Sequence, residues 1–402
     1  MEGQGGSEPH KSSKLSAVHE DFTALVEDLR VFAETKPHVE NAVKLHRRAM
    51  RDLNAIRNAM AGKTLHPGVD PEKMTEPLVQ GFQNNLAGFR AELQVALSVP
   101  GVIAVCKKFQ VLEQEGKELP EISAMSKPSK IEVDVVAQDG HTWIEVKSYK
   151  GITLESGHWQ GIPGHIKGLE QQIQDYLYVA SCPNNHQRWR APSVVIYFLE
   201  DIDEGVKDAI TEMGAYVQVG PDPPTLEGVP EPPEPPTIAN LDVTSMCALV
   251  SEVSHGGVEN ALVTQWAQRV SHWQDSLENE RRNPLLQEIG PILLHKQLVA
   301  TERAVLQFET LVEKFGGESE LARWRELKGK LEIYSEANSE DWLSKRVLSL
   351  ENVPLIQKHV FGLGDHLRAL VITANIKGIQ KLAHEGVNLE AFTHRAVWLT
   401  GL

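Results

Sequence analysis

The residues best suited to chemistry in this chain are Asp134, Glu145 and Lys147, spaced Asp-x10-Glu-x-Lys inside the stretch 131–150, IEVDVVAQDGHTWIEVKSYK. Two carboxylates in one place supply oxygen ligands for a divalent cation. Such a cation activates water and offsets charge growing on a phosphoryl oxygen, and a neighbouring lysine steadies or deprotonates that water. The spacing brings the three residues together only in a hairpin. Asp139-Gly140 stands between two runs of alternating apolar residues, which is a strong hairpin signal. With those two as the loop, Gln138 pairs with His141, Val136 with Trp143, Asp134 with Glu145 and Glu132 with Lys147. Alternation puts Ile131, Val133, Val135, Ile144 and Val146 on one face, and Asp134, Trp143, Glu145 and Lys147 on the other. Carboxylates directly opposite each other repel, and a cation between them relieves this. The alternative is a solvated strand face with a Glu132–Lys147 ion pair.

This grouping resembles the site of the PD-(D/E)xK phosphodiesterases. By that resemblance Asp134 is the first acid and Glu145-Val146-Lys147 the ExK, with Mg²⁺ or Mn²⁺ as the metal. Such nucleases often carry a glutamate on the helix before the first strand. Glu92 is the candidate. It falls beside the apolar stripe of a helix over 76–98 (Leu78, Phe82, Leu86, Phe89, Leu93, Leu97), where a carboxylate is unfavourable unless it is paired or metal-bound. Gln172 and Tyr176, four apart on a helix over 169–180, resemble the Gln-x-x-x-Tyr element of RecB-like nucleases.

The elements that must position these groups follow from periodicity. Residues 1–14 are Gly, Ser and charge and are expected to be disordered. Two helices follow over 15–75, on the stripes Phe22, Leu25, Val26, Leu29, Phe32 and Val39, Val43, His46, Met50, Leu53, Ile56. Lys44, Arg47, Arg48, Arg51 and Arg57 make the second helix basic, as a solvated face or a phosphate-facing strip. A strand over 102–112, the hairpin, a Gly- and His-rich loop over 151–168 (His158, Trp159, His165) covering the site, the Gln172 helix, a buried strand over 193–199, a helix over 203–214 and a strand over 215–219 complete a region 76–219. That order is an α/β layer architecture. Residues 220–237 hold eight prolines in eighteen, which neither pair into a sheet nor continue a helix. They form an extended, semi-rigid linker that could bind a partner protein.

From residue 238 a second domain reads as a strand ending at Asp242, a helical stripe carrying Glu302, a short helix beginning at Asp365, a strand over 369–373 and Asn375 after it. This resembles a PIN (PilT N-terminus-like) ribonuclease domain. The resemblance implies Asp242, Glu302 and Asp365 as metal ligands, with Asn375 where a fourth acid is usual. Helix caps are the alternative for Asp242 and Asp365. DVVA-x-x-GHTW over 134–143 and FG-x-GD-x-LRA…TAN over 361–375 resemble one uncharacterised eukaryotic family known only as a domain of unknown function.

The chain has 402 residues and a formal charge of −15, from 40 Lys and Arg against 55 Asp and Glu. That argues against strong nonspecific binding of nucleic acid and not against an acidic metal site. Cys106, Cys182 and Cys247 have neither zinc nor disulfide spacing, and Cys106 and Cys247 are expected as buried apolar groups. No signal peptide or membrane span is evident, and cytoplasm or nucleus is the expected compartment. The expected function is a metal-dependent nuclease or nuclease-derived factor acting on RNA or DNA. The competing class is an inactive binding or scaffold protein.

Overall fold

In a computed structural model the described residues are 8–61, 71–112, 128–149, 151–162, 166–268, 271–351 and 353–402. The chain divides into two units, Met1–His186 with Arg190–Pro232, and Gln187–Trp189 with Pro233–Leu402.

In the first unit, α1 (Glu8–Thr35) and α2 (Ala42–Met60) form the helical hairpin. Phe22, Leu25, Leu29 and Phe32 are buried along α1, and Leu45, Ala49, Leu53 and Ile56 along α2, the two apolar stripes that helical spacing requires. Helix α1 begins at Glu8, which corrects the expectation of a disordered tail for 8–14: an anchored helix extends at one hydrogen bond per added residue. Residues 1–7 lie outside the described residues. Helix α3 (Pro71–Ser98) starts earlier than expected, at a proline, a residue favoured in the first turn because its missing N–H is not needed there.

The sheet that follows comprises β1 (Ala104–Gln110), β2 (Lys130–Ala137), β3 (Thr142–Lys147), β6 (Ser193–Phe198) and β7 (Tyr216–Val219). Its order is β1-β2-β3-β6-β7. The pairs β1-β2 and β2-β3 are antiparallel, and β3-β6 and β6-β7 are parallel. Between β3 and β6 come α4 (Gly157–Gln160), a ribbon of β4 (Gly161–Ile162) and β5 (Ile166–Lys167), and α5 (Leu169–Ser181); α6 (Glu204–Glu212) precedes β7. The loop expected over 151–168 therefore contains a short helix and a ribbon, and Trp159 is buried in it; His165 lies outside the described residues. One sheet face packs Val135, Ile144 and Val195 against α1, α2 and α3, and the other packs Val136, Trp143 and Ile196 against α5 and α6. The proline-rich run 220–237 contains no helix or strand before residue 238, and its Leu226 and Val229 are buried in the first of these cores.

In the second unit five parallel strands, β8 (Ile238–Leu241), β9 (Gln297–Thr301), β10 (Leu331–Tyr334), β11 (Leu370–Thr373) and β12 (Ala391–Thr393), stand in the order β10-β9-β8-β11-β12. The crossovers carry α7 (Val243–Val250), α8 (Ala261–Ala267), α9 (Ser271–Arg282) and α10 (Leu285–Leu293), then α11 (Glu302–Phe315) and α12 (Glu318–Lys328). Then come α13 (Ser339–Trp342), α14 (Lys345–Leu348), α15 (Leu355–His366) and α16 (Ile376–His384). Ala239, Leu241, Ala300, Val371 and Ile372 are buried between helices, the near-continuous apolar pattern of a parallel sheet covered on both faces. Both units are α/β layers, one with a mixed sheet and one with a parallel sheet. Among the described residues no helix is long and apolar enough to cross a membrane.

Candidate functional site

The hairpin turn has Asp139 (φ 55, ψ 31) and Gly140 (φ 97) as its central residues, and His141 N donates to Gln138 O at 3.1 Å. Positive φ at Asp139 and Gly140 is what a type I′ turn requires; Gln138 is also at positive φ (49), so the ladder closes at Ala137–Thr142 and the expected Gln138–His141 pair is not part of it. The register runs Ala137 to Thr142, Val136 to Trp143 and Val135 to Ile144, which continues to Asp134 opposite Glu145. There the ladder ends. The Asp134 carboxylate takes over, accepting from Val146 N at 2.9 Å.

The expectation that residues 131, 133 and 135 share a face is corrected. Val133 and Ile131 pack on the α5 side, and Val135 on the α1–α3 side. The cause is opposite them on β1. Val105 pairs with Val135 and Lys107 with Val133, but Cys106 between them has φ 47. A left-handed residue turns the strand at that point. Its carbonyl leaves the ladder and accepts from Lys44 Nζ at 2.7 Å.

Three acids from three elements lie within electrostatic reach of one another around this irregularity: Glu92 on α3, Asp134 on β2 and Glu145 on β3. Burial pushes the Glu92 carboxyl up to about 7; Arg48 opposes that and Glu145 adds to it. Burial also holds Asp134 well above its ordinary range, with Glu145 and then Glu92 raising it further, against Lys147 and the Val146 N–H. Glu145 is 7 % exposed; its Oε2 accepts no well-formed hydrogen bond among the described residues, and the Tyr176 hydroxyl is the donor that faces the carboxylate. Its Oε1 accepts from Lys147 Nζ at 2.8 Å. Lys147 also donates to Gln172 Oε1 at 3.0 Å, and Gln172 donates to the Lys167 carbonyl at 3.0 Å. Burial works against the charge on Lys147, but Glu145 and Asp134 outweigh it and its pKa rises. The Tyr176 hydroxyl donates to Glu132 O at 2.8 Å, and burial, with Glu145 and Asp134 behind it, holds its proton firmly.

The Glu132–Lys147 ion pair of the alternative reading does not form. Glu132 pairs instead with Lys44 at 2.7 Å and Arg48 at 3.3 Å. Cys106 is buried as expected, yet its surroundings are polar: Arg48 donates to its sulfur at 2.9 Å, and the thiol faces Glu92 Oε2 at 3.8 Å. Burial and then Glu92 push that thiol up to about 12, so it stays protonated. Cys106 and Lys44 were not legible as walls of this site. The signal available was the basic spacing on α2.

Whether a cation fits can be tested on the donor set. A buried carboxylate oxygen without a partner calls for a proton or a cation. Among the described residues no three His, Cys, Asp or Glu gather as a ready metal cage. That excludes a closed structural site of zinc type among them. It leaves room for Mg²⁺, which is commonly held by one or two carboxylates with water and substrate phosphate completing its shell.

In the second unit the expected trio is not brought together. Asp242 follows β8 and caps α7: it accepts from Ser245 N at 2.7 Å and from the hydroxyls of Thr244 at 2.7 Å and Thr373 at 2.5 Å. Asn375, after the neighbouring β11, caps α16 by accepting from Gly378 N at 2.9 Å. Glu302, after β9, accepts from Ser335 Oγ at 2.8 Å and Glu336 N at 2.9 Å. These three stand at the carboxyl ends of strands, where open α/β sheets bind ligands. Asp365 does not begin a helix, as expected, but lies in the last turn of α15 before β11 starts, towards the amino end of that strand. The helix starts earlier because Val360, Phe361 and Leu363 supply its buried side. Arg346 grips both Asp365 oxygens, with Ser344 and Trp189 Nε1 (2.7 Å) as further donors. Burial opposes its charge, but Arg346, Ser344 and Trp189 outweigh it and hold the carboxyl below its ordinary range. Every oxygen of Asp242 and Asp365 is thus engaged by protein.

Fold and site together define an α/β protein of two units, each built on a five-stranded sheet, with an acid–lysine cluster in the first. Residues 17–221, more than half of the chain, match the family described as "Family of unknown function (DUF5614)", and the chain belongs to that family. Residues 239–401 match "Protein of unknown function (DUF1308)". No solved structure matches the chain.

Proposed function

We propose that the first unit carries a divalent-metal-dependent phosphodiesterase centre of the PD-(D/E)xK kind, acting on RNA or DNA. The observation that carries this reading is the buried carboxylate of Glu145, its Oε2 without a well-formed donor among the described residues, within electrostatic reach of Asp134 and Glu92. Asp134 and Glu145 would hold Mg²⁺ or Mn²⁺, which when bound supplies a Lewis acid and an acidified water. Lys147, kept charged between Glu145 and Gln172, is not a base. Its work is electrostatic, to hold the attacking water and offset charge on the phosphoryl group. Glu92, which ionises near neutral pH, is the group suited to take the proton. The second unit enters as a PIN-like module without a convergent acidic ligand set.

The test is cleavage of labelled RNA and DNA with Mg²⁺, Mn²⁺ or EDTA, beside calorimetry with Mn²⁺. Metal-dependent cleavage that Lys147→Ala abolishes supports the reading. Absence of cleavage with every substrate and metal leaves the binding or scaffold protein as the better one.

A further inference from the structure

We infer that one face of α2 binds the phosphodiester backbone of a polynucleotide and leads it to the cluster of Asp134, Glu145 and Lys147. This rests on reading that cluster as a phosphodiesterase centre.

Lys44, Arg47, Arg48 and Arg51 fall within roughly 100° of helical arc at 3.6 residues per turn. The buried stripe of Ala42, Leu45, Ala49, Leu53 and Ile56 occupies the far side. The only carboxylate within α2, Asp52, is off the basic arc and accepts from Asn85 at 2.9 Å. The four cations form two pairs with different duties. Lys44 and Arg48 are half-buried and bind inward, to Glu132, the Cys106 carbonyl and the Cys106 sulfur. Cys106 in turn faces Glu92, so this pair connects the helix surface to the acidic cluster. Arg47 and Arg51 are exposed and have no ion-pair partner among the described residues. That sets them apart from Arg30, paired with Glu27 and Glu34, and Arg90, paired with Asp21. They are four residues apart, about 6 Å along the axis. Lys108, also exposed, adds a charge from the adjoining edge strand β1.

In a chain of net charge −15, two exposed arginines without a carboxylate partner among the described residues, on a helix face that adjoins an acidic cluster, are the exception. Charge complementarity selects its occupant. A substrate whose reacting phosphate reaches the cluster carries further phosphates along its backbone, and Arg47 and Arg51, on the same helix face as Lys44 and Arg48, are the exposed cations open to them. Such contacts position a strand and read no bases, so RNA or DNA is accommodated.

The experiment uses the full chain, labelled single-stranded RNA and DNA, and Ca²⁺ to limit turnover. Fluorescence anisotropy is measured over a salt series. Removing two phosphate contacts lowers the slope of log K against log salt by about 1.4, at about 0.7 per contact on a single strand. Arg47→Gln/Arg51→Gln should show that fall. Arg282→Gln/Lys330→Gln, with the same charge change on other exposed surfaces, should not. An unchanged slope in the first variant, an equal fall in both, or binding of phosphatidylserine vesicles in place of polynucleotide overturns the inference. Binding that depends on Arg47 and Arg51 without any cleavage supports it, while the catalytic reading falls on its own.

Discussion

Replacing Glu92 by Gln should stabilise the metal-free protein at alkaline pH, although it removes a charged partner of Arg48. Glu92 is 7 % exposed, and burial raises its carboxyl to about 7 from an ordinary 4.5. An acid whose pKa is higher folded than unfolded binds more protons in the folded state. Its contribution to stability is therefore greatest below the unfolded value and declines as pH rises to the folded one. At about 1.4 kcal/mol per pKa unit, the decline across this window is ~3 kcal/mol. Glutamine keeps the shape, has no proton to lose, and escapes the decline. The difference between variant and wild type should thus grow from near zero at pH 4 to ~3 kcal/mol at pH 8. Urea unfolding followed by pulse hydrogen exchange of peptides covering 131–147 isolates the first unit's transition. Saturating Mn²⁺ should restore the wild-type stability at pH 8, because a nearby cation favours ionised carboxylates. A variant less stable than wild type at pH 8, or a difference that does not change with pH, would refute the reasoning. It would show Arg48 and Glu92 to be a satisfied ion pair.

Three further outcomes follow from particular contacts. Lys147→Ala should lower the rate of metal-dependent cleavage about 10²-fold or more, with circular dichroism unchanged; an active variant would remove Lys147 from the mechanism. Asp365→Ala leaves the half-buried Arg346 without its carboxylate and should destabilise the second unit by about 3 kcal/mol, seen as a lower urea midpoint in peptides covering 355–373. Adding methyl at Gly168 would bring a Cβ within 2.2 Å of the Trp159 carbonyl, so Gly168→Ala should disturb the start of α5, speed exchange over 169–176 and loosen the Lys147–Gln172 contact, whereas wild-type exchange there would mean the ribbon yields freely.

Sequence alone determined what rests on local periodicity and turn chemistry. The type I′ turn at Asp139-Gly140 needs two residues that tolerate positive φ, so the register placing Asp134 opposite Glu145 could be read without coordinates. The amphipathic stripes of α1, α2 and α3, and the α/β order of both units, come from the same short-range logic. Tertiary structure decided whatever depends on groups distant along the chain. Cys106 turns β1 and with it the faces of β2, a strain that strand alternation does not reveal. Register pairs Glu132 with Lys147, but its carboxylate goes to Lys44 and Arg48, because a helix packed on β1 brings two cations to it. Asp242, Glu302 and Asp365 show the limit most plainly. Residue type and order suggested a common site, yet a parallel sheet has two ends, and an acid in the last turn of the helix preceding a strand stands at the opposite end from one that follows a strand. Only the length of α15, set by how Val360, Phe361 and Leu363 bury, decides at which end Asp365 comes to rest.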